Sequence, residues 1–426
     1  MNSLGRAALQ SLQLKKLQIL LKATLTGNPF YAAKLGLAAV NAELEGLEDF
    51  TARVPFTVKQ EFVDDQLRNP PYGSNLTYPL TSYSRFHQTS GSASAPIRWL
   101  DTPESWARML DCWDRIFQAA RVHNEDRLFF PFSFGPFLGF WTAFEAATRA
   151  GRLAISGGGM RTPGRLRVIL DNEVTVVCAT PTYAIRMGET AIEEKIDLAA
   201  GKVRAIIVAG EPGGSVPATC ALIEQLWPGA RVYDHHGMTE VGPVTYACPR
   251  RAGVLHVIES AYFPEVINQE TLQPVGPGGN GELLLTNLDR IGSPVIRYRT
   301  RDIVRRAEAV RCECGSEELA LEGGILSRID DMVVVRGTNL YPSAVEEVLR
   351  TDGGVGEFRV EIKSERGMAE VSLSIEPAAA EDDLDGLAKR VADALYKAFG
   401  LRFSVSCVPR GELPRFEAKA KRWVRV

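Results

Sequence analysis

The chain has 426 residues with 49 basic and 52 acidic side chains, a formal net charge of −3, and that balance gives no whole-chain attraction to nucleic acid or to an anionic membrane. A composition of 45% hydrophobic and 24% charged residues, with Gly and Pro dispersed along the chain, excludes a disordered, collagen-like or coiled-coil protein. The length fits two or three domains of roughly 150 residues, no apolar run of roughly 18 residues marks a membrane span, and seven cysteines without a secretory leader point to a reducing cytoplasm rather than a disulfide framework.

In chain order, Met1–Lys22 is Leu-rich but broken by Lys15, Lys16 and Gln, which predicts an amphipathic helix packed on the main body. Thr102-Pro103-Glu104 opens a helix whose buried face carries Trp106, Leu110, Trp113 and Phe117. Strands then alternate with helices: Leu128–Phe134, Leu153–Ser156, Val174–Ala179, Val203–Ala209 and Arg231–Tyr233, with helices over Leu138–Arg149, Pro163–Asn172, Tyr183–Glu194 and Pro217–Leu226. That spacing predicts a parallel sheet covered on both sides, the core of a large α/β domain. From about Gly253, short strands at Val254–Ile258, Glu265–Asn268, Gly281–Thr286 and Val295–Tyr298 predict an appended β-barrel-like part. Beyond Asp331, Met332–Arg336, a helix over Pro342–Leu349, strands Phe358–Ile362 and Val371–Ile375, a helix over Leu384–Phe399 and a strand Phe403–Val408 predict a small α+β domain.

Six short segments carry candidate chemistry. Thr89-Ser90-Gly91-Ser92 offers hydroxyls and backbone N–H groups around a Gly, a means of wrapping phosphate oxygens. Gly210-Glu211-Pro212 follows the most apolar strand, where ligands of open α/β sheets bind. Asp234-His235-His236-Gly237-Met238-Thr239-Glu240 follows the next. Its adjacent histidines point to opposite faces and so do not share a metal, whereas a ring to stack on a base, with Thr and Glu for phosphate and Mg²⁺, suits a nucleotide. Asp302, in Tyr298-Arg299-Thr300-Arg301-Asp302, can accept both hydroxyls of a ribose. Arg328-Ile329-Asp330-Asp331 lies at the junction with the small domain, and Pro414-Arg415-Phe416-Glu417-Ala418-Lys419 near the C-terminus.

Together, and with Pro55-Phe56-Thr57-Val58-Lys59 and Ala261-Tyr262-Phe263-Pro264-Glu265-Val266-Ile267, these segments resemble the adenylate-forming superfamily of acyl-CoA ligases, in its phenylacetate–CoA ligase-like branch. The resemblance implies a large domain over residues 1–329 that binds ATP and the acyl group, and a mobile domain over 330–426 that carries the adenylation lysine. It implies ATP- and Mg²⁺-dependent activation of an aromatic or aryl-alkyl carboxylic acid to acyl-AMP, then thioester formation with coenzyme A. Transfer to a carrier protein or an amine is an alternative, as is a relative that only binds nucleotide or acyl-AMP. A homodimer, and no nucleic-acid or membrane partner, is the accompanying expectation. By position, Thr89, Ser90, Gly91 and Ser92 match the phosphate loop, Gly210, Glu211 and Pro212 the adenine-side loop, and Asp234, His235, His236 and Gly237 the base-stacking segment. Thr239 and Glu240 match the phosphate and Mg²⁺ contacts, Asp302 the ribose ligand, Arg328 the arginine after it, Asp330 the hinge and Lys419 the catalytic lysine. The chain departs from the family pattern at Ala93, Ser94 and Ala95, where Thr, Gly and Lys are usual, at His236 in place of Tyr, and at Arg301 in place of Gly.

Phe134, Gly135 and Phe137 are the candidate acyl-pocket residues, in a Phe-rich run that could line an apolar slot. Cys248, His256, Cys312 and Cys314, with a Cys-x-Cys pair, form a candidate structural Zn²⁺ site.

Overall fold

The computed structural model describes residues 4–89, 96–335, 338–365, 368–379, 383–416 and 420–426. The central sheet has five parallel strands, β1 (Arg127–Phe130), β2 (Leu153–Ser156), β3 (Val176–Ala179), β4 (Ala205–Val208) and β5 (Arg231–Asp234), in the order β2-β1-β3-β4-β5. Alternation along the strands divides two cores. Leu128, Phe130, Val176, Cys178, Ala205 and Ile207 face one, and Phe129, Val177, Ala179, Ile206 and Val208 face the other. Strands buried on both faces are continuous apolar runs, which is why this sheet is legible in the sequence. The helix Pro103–Ala119 begins where expected. The Thr102 hydroxyl accepts the Ser105 N–H, Pro103 needs no donor, and Trp106, Leu110, Trp113 and Phe117 are buried.

The second sheet is antiparallel: β6 (Thr245–Ala247), β7 (Val254–Val257), β8 (Tyr262–Ile267), β9 (Asn280–Asn287), β10 (Tyr298–Arg306) and β11 (Ala320–Arg328), in the order β6-β7-β11-β10-β9-β8. Its two outer strands do not pair with each other, so it is an open sheet rather than a closed barrel. The strand expected over Val295–Tyr298 is displaced: Tyr298 begins β10, which runs on through Asp302 to Arg306. The reason is packing. Thr57 N–H donates to the Arg297 carbonyl at 3.0 Å, Arg299 N–H donates to the Thr57 carbonyl at 2.9 Å, and the buried Thr57 hydroxyl donates to the Ile296 carbonyl at 2.8 Å. Those bonds pin residues 296–299 to the N-terminal segment before the β-ladder begins.

The N-terminal helix spans Arg6–Gly27, shifted toward the C-terminus from the expected Met1–Lys22, and buries Leu9, Leu17, Leu20 and Leu21. Its Gln13 side chain donates to Glu259 Oε2 at 2.9 Å, which fixes it to the turn before β8. Among the described residues no helix is long and apolar enough to cross a membrane.

The C-terminal part has its own four-stranded sheet: β12 (Val355–Glu365), β13 (Met368–Pro377), β14 (Ser404–Cys407) and β15 (Trp423–Arg425), in the order β14-β13-β12-β15. Helices Pro342–Asp352 and Leu384–Phe399 cover it, and the second presents Leu387, Val391 and Leu395 at four-residue spacing to a separate core. The last strand, β15, runs parallel to β12, so the chain end closes this sheet instead of trailing away.

Candidate functional site

The loops after the parallel strands and the inner strands of the second sheet carry most of the candidate residues. At the phosphate loop, Thr89 is described and Ser90, Gly91 and Ser92 lie outside the described residues. Thr89 closes the base of that loop: its N–H donates to the Ile97 carbonyl at 2.9 Å and its hydroxyl accepts the Ile97 N–H at 3.0 Å. The flanking pair Arg85–Gln88 and Arg98–Asp101 is antiparallel, so the loop is the tip of a hairpin. That hairpin is fixed from behind by a buried bidentate pair, Arg290 Nε and Nη2 to the two Asp101 oxygens at 2.6 and 2.7 Å. The same guanidinium donates to the Thr239 carbonyl at 2.8 Å, which couples the hairpin to the Thr239–Glu240 turn.

After β5, the two histidines part as expected. His235 turns into the core. Its ring meets Trp113 edge-on at 4.7 Å, its Nδ1 lies 3.0 Å from the Thr245 carbonyl, and burial lowers its pKa to about 3. It is a neutral core ring. His236 faces the other way. Its Nε2 lies 3.2 Å from Asp302 Oδ2. Gly237 is required by close approach, because a Cβ there would stand 2.7 Å from the Gly242 carbonyl oxygen.

Asp302 is 1% exposed and sits directly across the ladder from Arg328. Arg328 Nη1 donates to its Oδ1 at 2.8 Å, while Oδ2 and the facing His236 Nε2 have no hydrogen-bond partner among the described residues. Burial pushes this carboxyl up, but His236 and Arg328 more than offset that and hold it below the ordinary carboxylate value. An ionised, buried carboxylate with one oxygen fixed and the other without a hydrogen-bond partner among the described residues has acceptor capacity suited to vicinal hydroxyls. Arg328 also reaches Asp330 Oδ2 at 3.5 Å, and Arg301 reaches Asp330 Oδ1 at 2.6 Å. Arg301 does so from a backbone φ of +65°, the left-handed region where Gly is the unstrained residue.

Glu240 is buried, and its Oε1 accepts from the Tyr298 hydroxyl at 3.0 Å. Lys59 Nζ stands 3.8 Å from the same oxygen. Neither partner was singled out as a site residue from the sequence, although both lie inside motifs noted there. Gly210 takes φ +97°, and Glu211 beside it is committed to two backbone N–H groups, those of Thr182 and Ala420, at 2.9 Å each. Pro212 continues this turn. Asp234 is also committed: its Oδ2 accepts the Ser215 hydroxyl at 2.5 Å and its Oδ1 the His235 N–H at 2.9 Å. Lys419 lies outside the described residues.

Phe134 packs on Trp141 and Phe144 at centroid distances of 4.5 and 5.2 Å, and Trp141 Nε1 donates to the Gly135 carbonyl at 2.9 Å. Phe137 is turned outward and is 48% exposed. Gln88 N–H donates to the Pro136 carbonyl at 2.6 Å, so this aromatic loop abuts the strand that leads into the phosphate loop.

The structure brings the four metal-ligand candidates together. Their ligand atoms all lie within 4.8 Å of one another, Cys248 Sγ is 3.6 Å from Cys312 Sγ, and Cys314 Sγ is 3.3 Å from His256 Nε2. Two thiolates on one tetrahedral Zn²⁺ stand about 3.8 Å apart, whereas a disulfide would need about 2.05 Å. His256 Nδ1 faces the Glu318 carbonyl at 3.4 Å, which leaves Nε2 turned toward the sulfurs.

Residues 89–287 match the AMP-binding enzyme family and residues 337–425 the AMP-binding enzyme C-terminal domain. The chain is 28% identical to a phenylacetate-coenzyme A ligase of Thermus thermophilus over 98% of this chain and 96% of that one. It is 28% identical to the phenylacetate-coenzyme A ligase of Escherichia coli over 97% and 94%. A crystal structure of 2-hydroxyisobutyryl-CoA ligase in the postadenylation state, with R3-HIB-AMP, superposes with a TM-score of 0.93 at 27% identity, over 100% of this chain and 91% of that chain. In its thioesterification state, with 2-HIB-AMP and CoA, the same ligase gives 0.71 at 27% identity over 99% and 91%. The chain belongs to the adenylate-forming superfamily of AMP-binding enzymes, in its phenylacetate–CoA ligase-like branch.

Asp234 yields a pH test. Burial raises its carboxyl above the ordinary 3.8, despite the Ser215 and His235 hydrogen bonds. The folded state therefore holds this proton to higher pH than the unfolded chain, so its contribution to stability is present below pH 3.8 and is lost as pH rises through the raised value. Asp234→Asn cannot titrate. In denaturant titrations from pH 4 to 8, on the order of one transition per pH unit, the variant should gain on the parent as pH rises. A difference independent of pH contradicts the assignment.

Proposed function

We propose that the protein uses ATP to convert a carboxylic acid to its acyl-adenylate, with release of pyrophosphate, and then transfers the acyl group to coenzyme A with release of AMP. The observation that carries this reading is the buried Asp302 carboxylate, fixed on one oxygen by Arg328 and, on the other, facing His236 with no hydrogen-bond partner among the described residues. It accepts the ribose hydroxyls, and the His236 ring lies along the base. Thr89 and the loop after it, with Thr239, flank the phosphates. Glu240 would hold Mg²⁺, which when bound offsets the phosphate charge.

In the first step a substrate carboxylate oxygen attacks the α-phosphorus and the bond to pyrophosphate breaks. Both reactants are anions, so a cation at the crossing point lowers the barrier, and Lys419 supplies it. In the second step the coenzyme A thiolate attacks the acyl carbon and AMP leaves. The small domain, from Asp330 to the end, rotates about Asp330 between the two steps and carries Lys419 away from the site. The closer likeness to a postadenylation structure than to a thioesterification one supports reading the present arrangement as the adenylation-side pose. The aromatic loop around Phe134 and the phenylacetate-activating relatives favour an aromatic or aryl-alkyl acid. Cys248, His256, Cys312 and Cys314 would hold a structural Zn²⁺ that ties β7 to the loop before β11. A second reading, a relative that binds acyl-AMP without making it, is favoured by Ala93, Ser94 and Ala95 in the phosphate loop.

Acid-dependent exchange of pyrophosphate into ATP, run over aryl, aryl-alkyl and small aliphatic hydroxy acids, separates the two readings. Exchange with an aryl-alkyl acid and thioester formation on adding coenzyme A are expected, and no exchange with any acid sinks the enzyme. Glu240→Gln should slow exchange by on the order of 10²–10³ and change its Mg²⁺ dependence. Lys419→Ala should lose a similar factor in exchange, yet convert supplied acyl-AMP normally. Equal losses in both half-reactions would remove Lys419 from this role.

Metal analysis of the purified protein should find about one zinc per chain. Cys312→Ser should lose it and lower the melting temperature. A zinc-free protein whose melting temperature Cys312→Ser leaves unchanged overturns the site.

A further inference from the structure

Glu211 stands in the turn after β4, where the family pattern places a neighbour of adenine, yet its carboxylate faces elsewhere. Oε1 accepts the N–H of Thr182, in the first turn of the helix Pro181–Glu193, at 2.9 Å. Oε2 accepts the N–H of Ala420, on the C-terminal segment, also at 2.9 Å. One half-buried carboxylate thus joins the large body to the residue that directly follows Lys419 in sequence. The helix end suits it, because first-turn N–H groups have no partner within the helix and carry the positive end of its dipole.

The neighbouring contacts act in the same direction. Arg422 Nη1 donates to the Thr182 hydroxyl at 3.3 Å, while its Nε holds Glu357 of β12 at 2.5 Å. Arg415 Nε stands 4.0 Å from Glu189, on the same helix. Residues 415, 420 and 422 therefore all reach this one helix or the carboxylate that caps it. Glu211 differs from the other two contacts in holding main chain. A backbone bond fixes the path of the segment regardless of side-chain rotamers, and the two carboxylate oxygens share the work between the two bodies.

We infer that Glu211 is a positioning residue, a dock that holds the C-terminal segment in the adenylation pose and so places the lysine beside it, and not an adenine contact. This inference rests on the proposed acid activation only for its kinetic consequence; the dock itself is testable without it. Rotation of the small domain must break the Ala420 bond while leaving the Thr182 bond intact. Gln at this position can accept only one of the two N–H groups; the Thr182 N–H, at the positive end of its helix, has the stronger claim on the oxygen, so the NH₂ turns toward Ala420 and the dock fails while the turn persists.

Two measurements test it on the full chain. First, amide hydrogen exchange read by mass spectrometry should show Ala420 and its neighbours protected in the parent and exchanging about tenfold or more faster in Glu211→Gln. Glu193→Gln, an exposed change on the same helix, should leave them protected. Unchanged protection in Glu211→Gln overturns the dock whatever the protein catalyses. Second, Glu211→Gln should slow acid-dependent pyrophosphate exchange by about 10–100-fold, the range for one hydrogen bond to a charged group. It should leave the conversion of supplied acyl-AMP and coenzyme A within about twofold. Added to Lys419→Ala, it should slow exchange by no more than about twofold further, because a dock with nothing to place has no kinetic effect. Equal slowing of both half-reactions, or a full additional loss in the double variant, identifies a general structural role and overturns the inference. A parent with no exchange at all refutes acid activation, and the hydrogen-exchange result alone then decides the role of Glu211.

Discussion

The cross-strand pair of Asp302 and Arg328 is the contact on which the rest of the site depends. A carboxylate this buried stays ionised only beside a positive partner. Arg328 supplies it from β11, and the same guanidinium extends toward Asp330, which Arg301 holds from the other side. The proposed nucleotide anchor and the junction with the small domain are therefore one charge network. Arg301 keeps a strained left-handed backbone within that network, and its ion pair with Asp330 is a local contact that the strain accompanies.

The two sheets divide the remaining labour. The inner strands of the parallel sheet have core on both faces, and the sheet ends in loops whose residues are already engaged: Glu211 on two amides, Asp234 on Ser215 and a backbone N–H. The antiparallel sheet brings Asp302 and Tyr298 against those loops from the other side, and Arg290 ties the phosphate-loop hairpin to Thr239. A site assembled from both sheets needs no large motion within either; the proposed rotation would fall at the junction, where Arg328, Asp330 and Arg301 meet.

Much of this was legible in the sequence, for identifiable reasons. β3 and β4 are short apolar runs that fit only a strand buried on both faces, and the capped helix after Thr102 carries its signal in three residues. β10 and β11 were not legible. Tyr298-Arg299-Thr300-Arg301-Asp302 mixes exposed Arg301 with Thr300, buried on a hydrogen bond to the Leu283 carbonyl, and Asp302, buried beside Arg328, and Gly323-Gly324 interrupts β11 with two positive φ angles. β15 is three residues long and pairs in parallel with a strand far back in the chain, a pairing that local pattern does not encode. At the site, His236, Asp302 and Arg328 come together, whereas Ser90, Gly91, Ser92 and Lys419 lie outside the described residues, and the partners of the candidate residues do not announce themselves in the sequence. The roles of Lys59 and Tyr298 beside Glu240, and the separation of His235 into the core, depend on which face each side chain takes after the fold is formed.

Calorimetric titration of AMP into the protein and into Asp302→Asn tests the central claim most directly, because AMP carries the ribose and lacks the β- and γ-phosphates of ATP. The variant can keep its one oxygen for Arg328, but it then puts an NH₂ donor where the second acceptor stood. With folding verified by an unchanged cooperative melt, AMP affinity should fall by on the order of 10–100-fold. Equal affinity for AMP in the two proteins would show that Asp302 is a structural partner of Arg328 and that the nucleotide lies elsewhere.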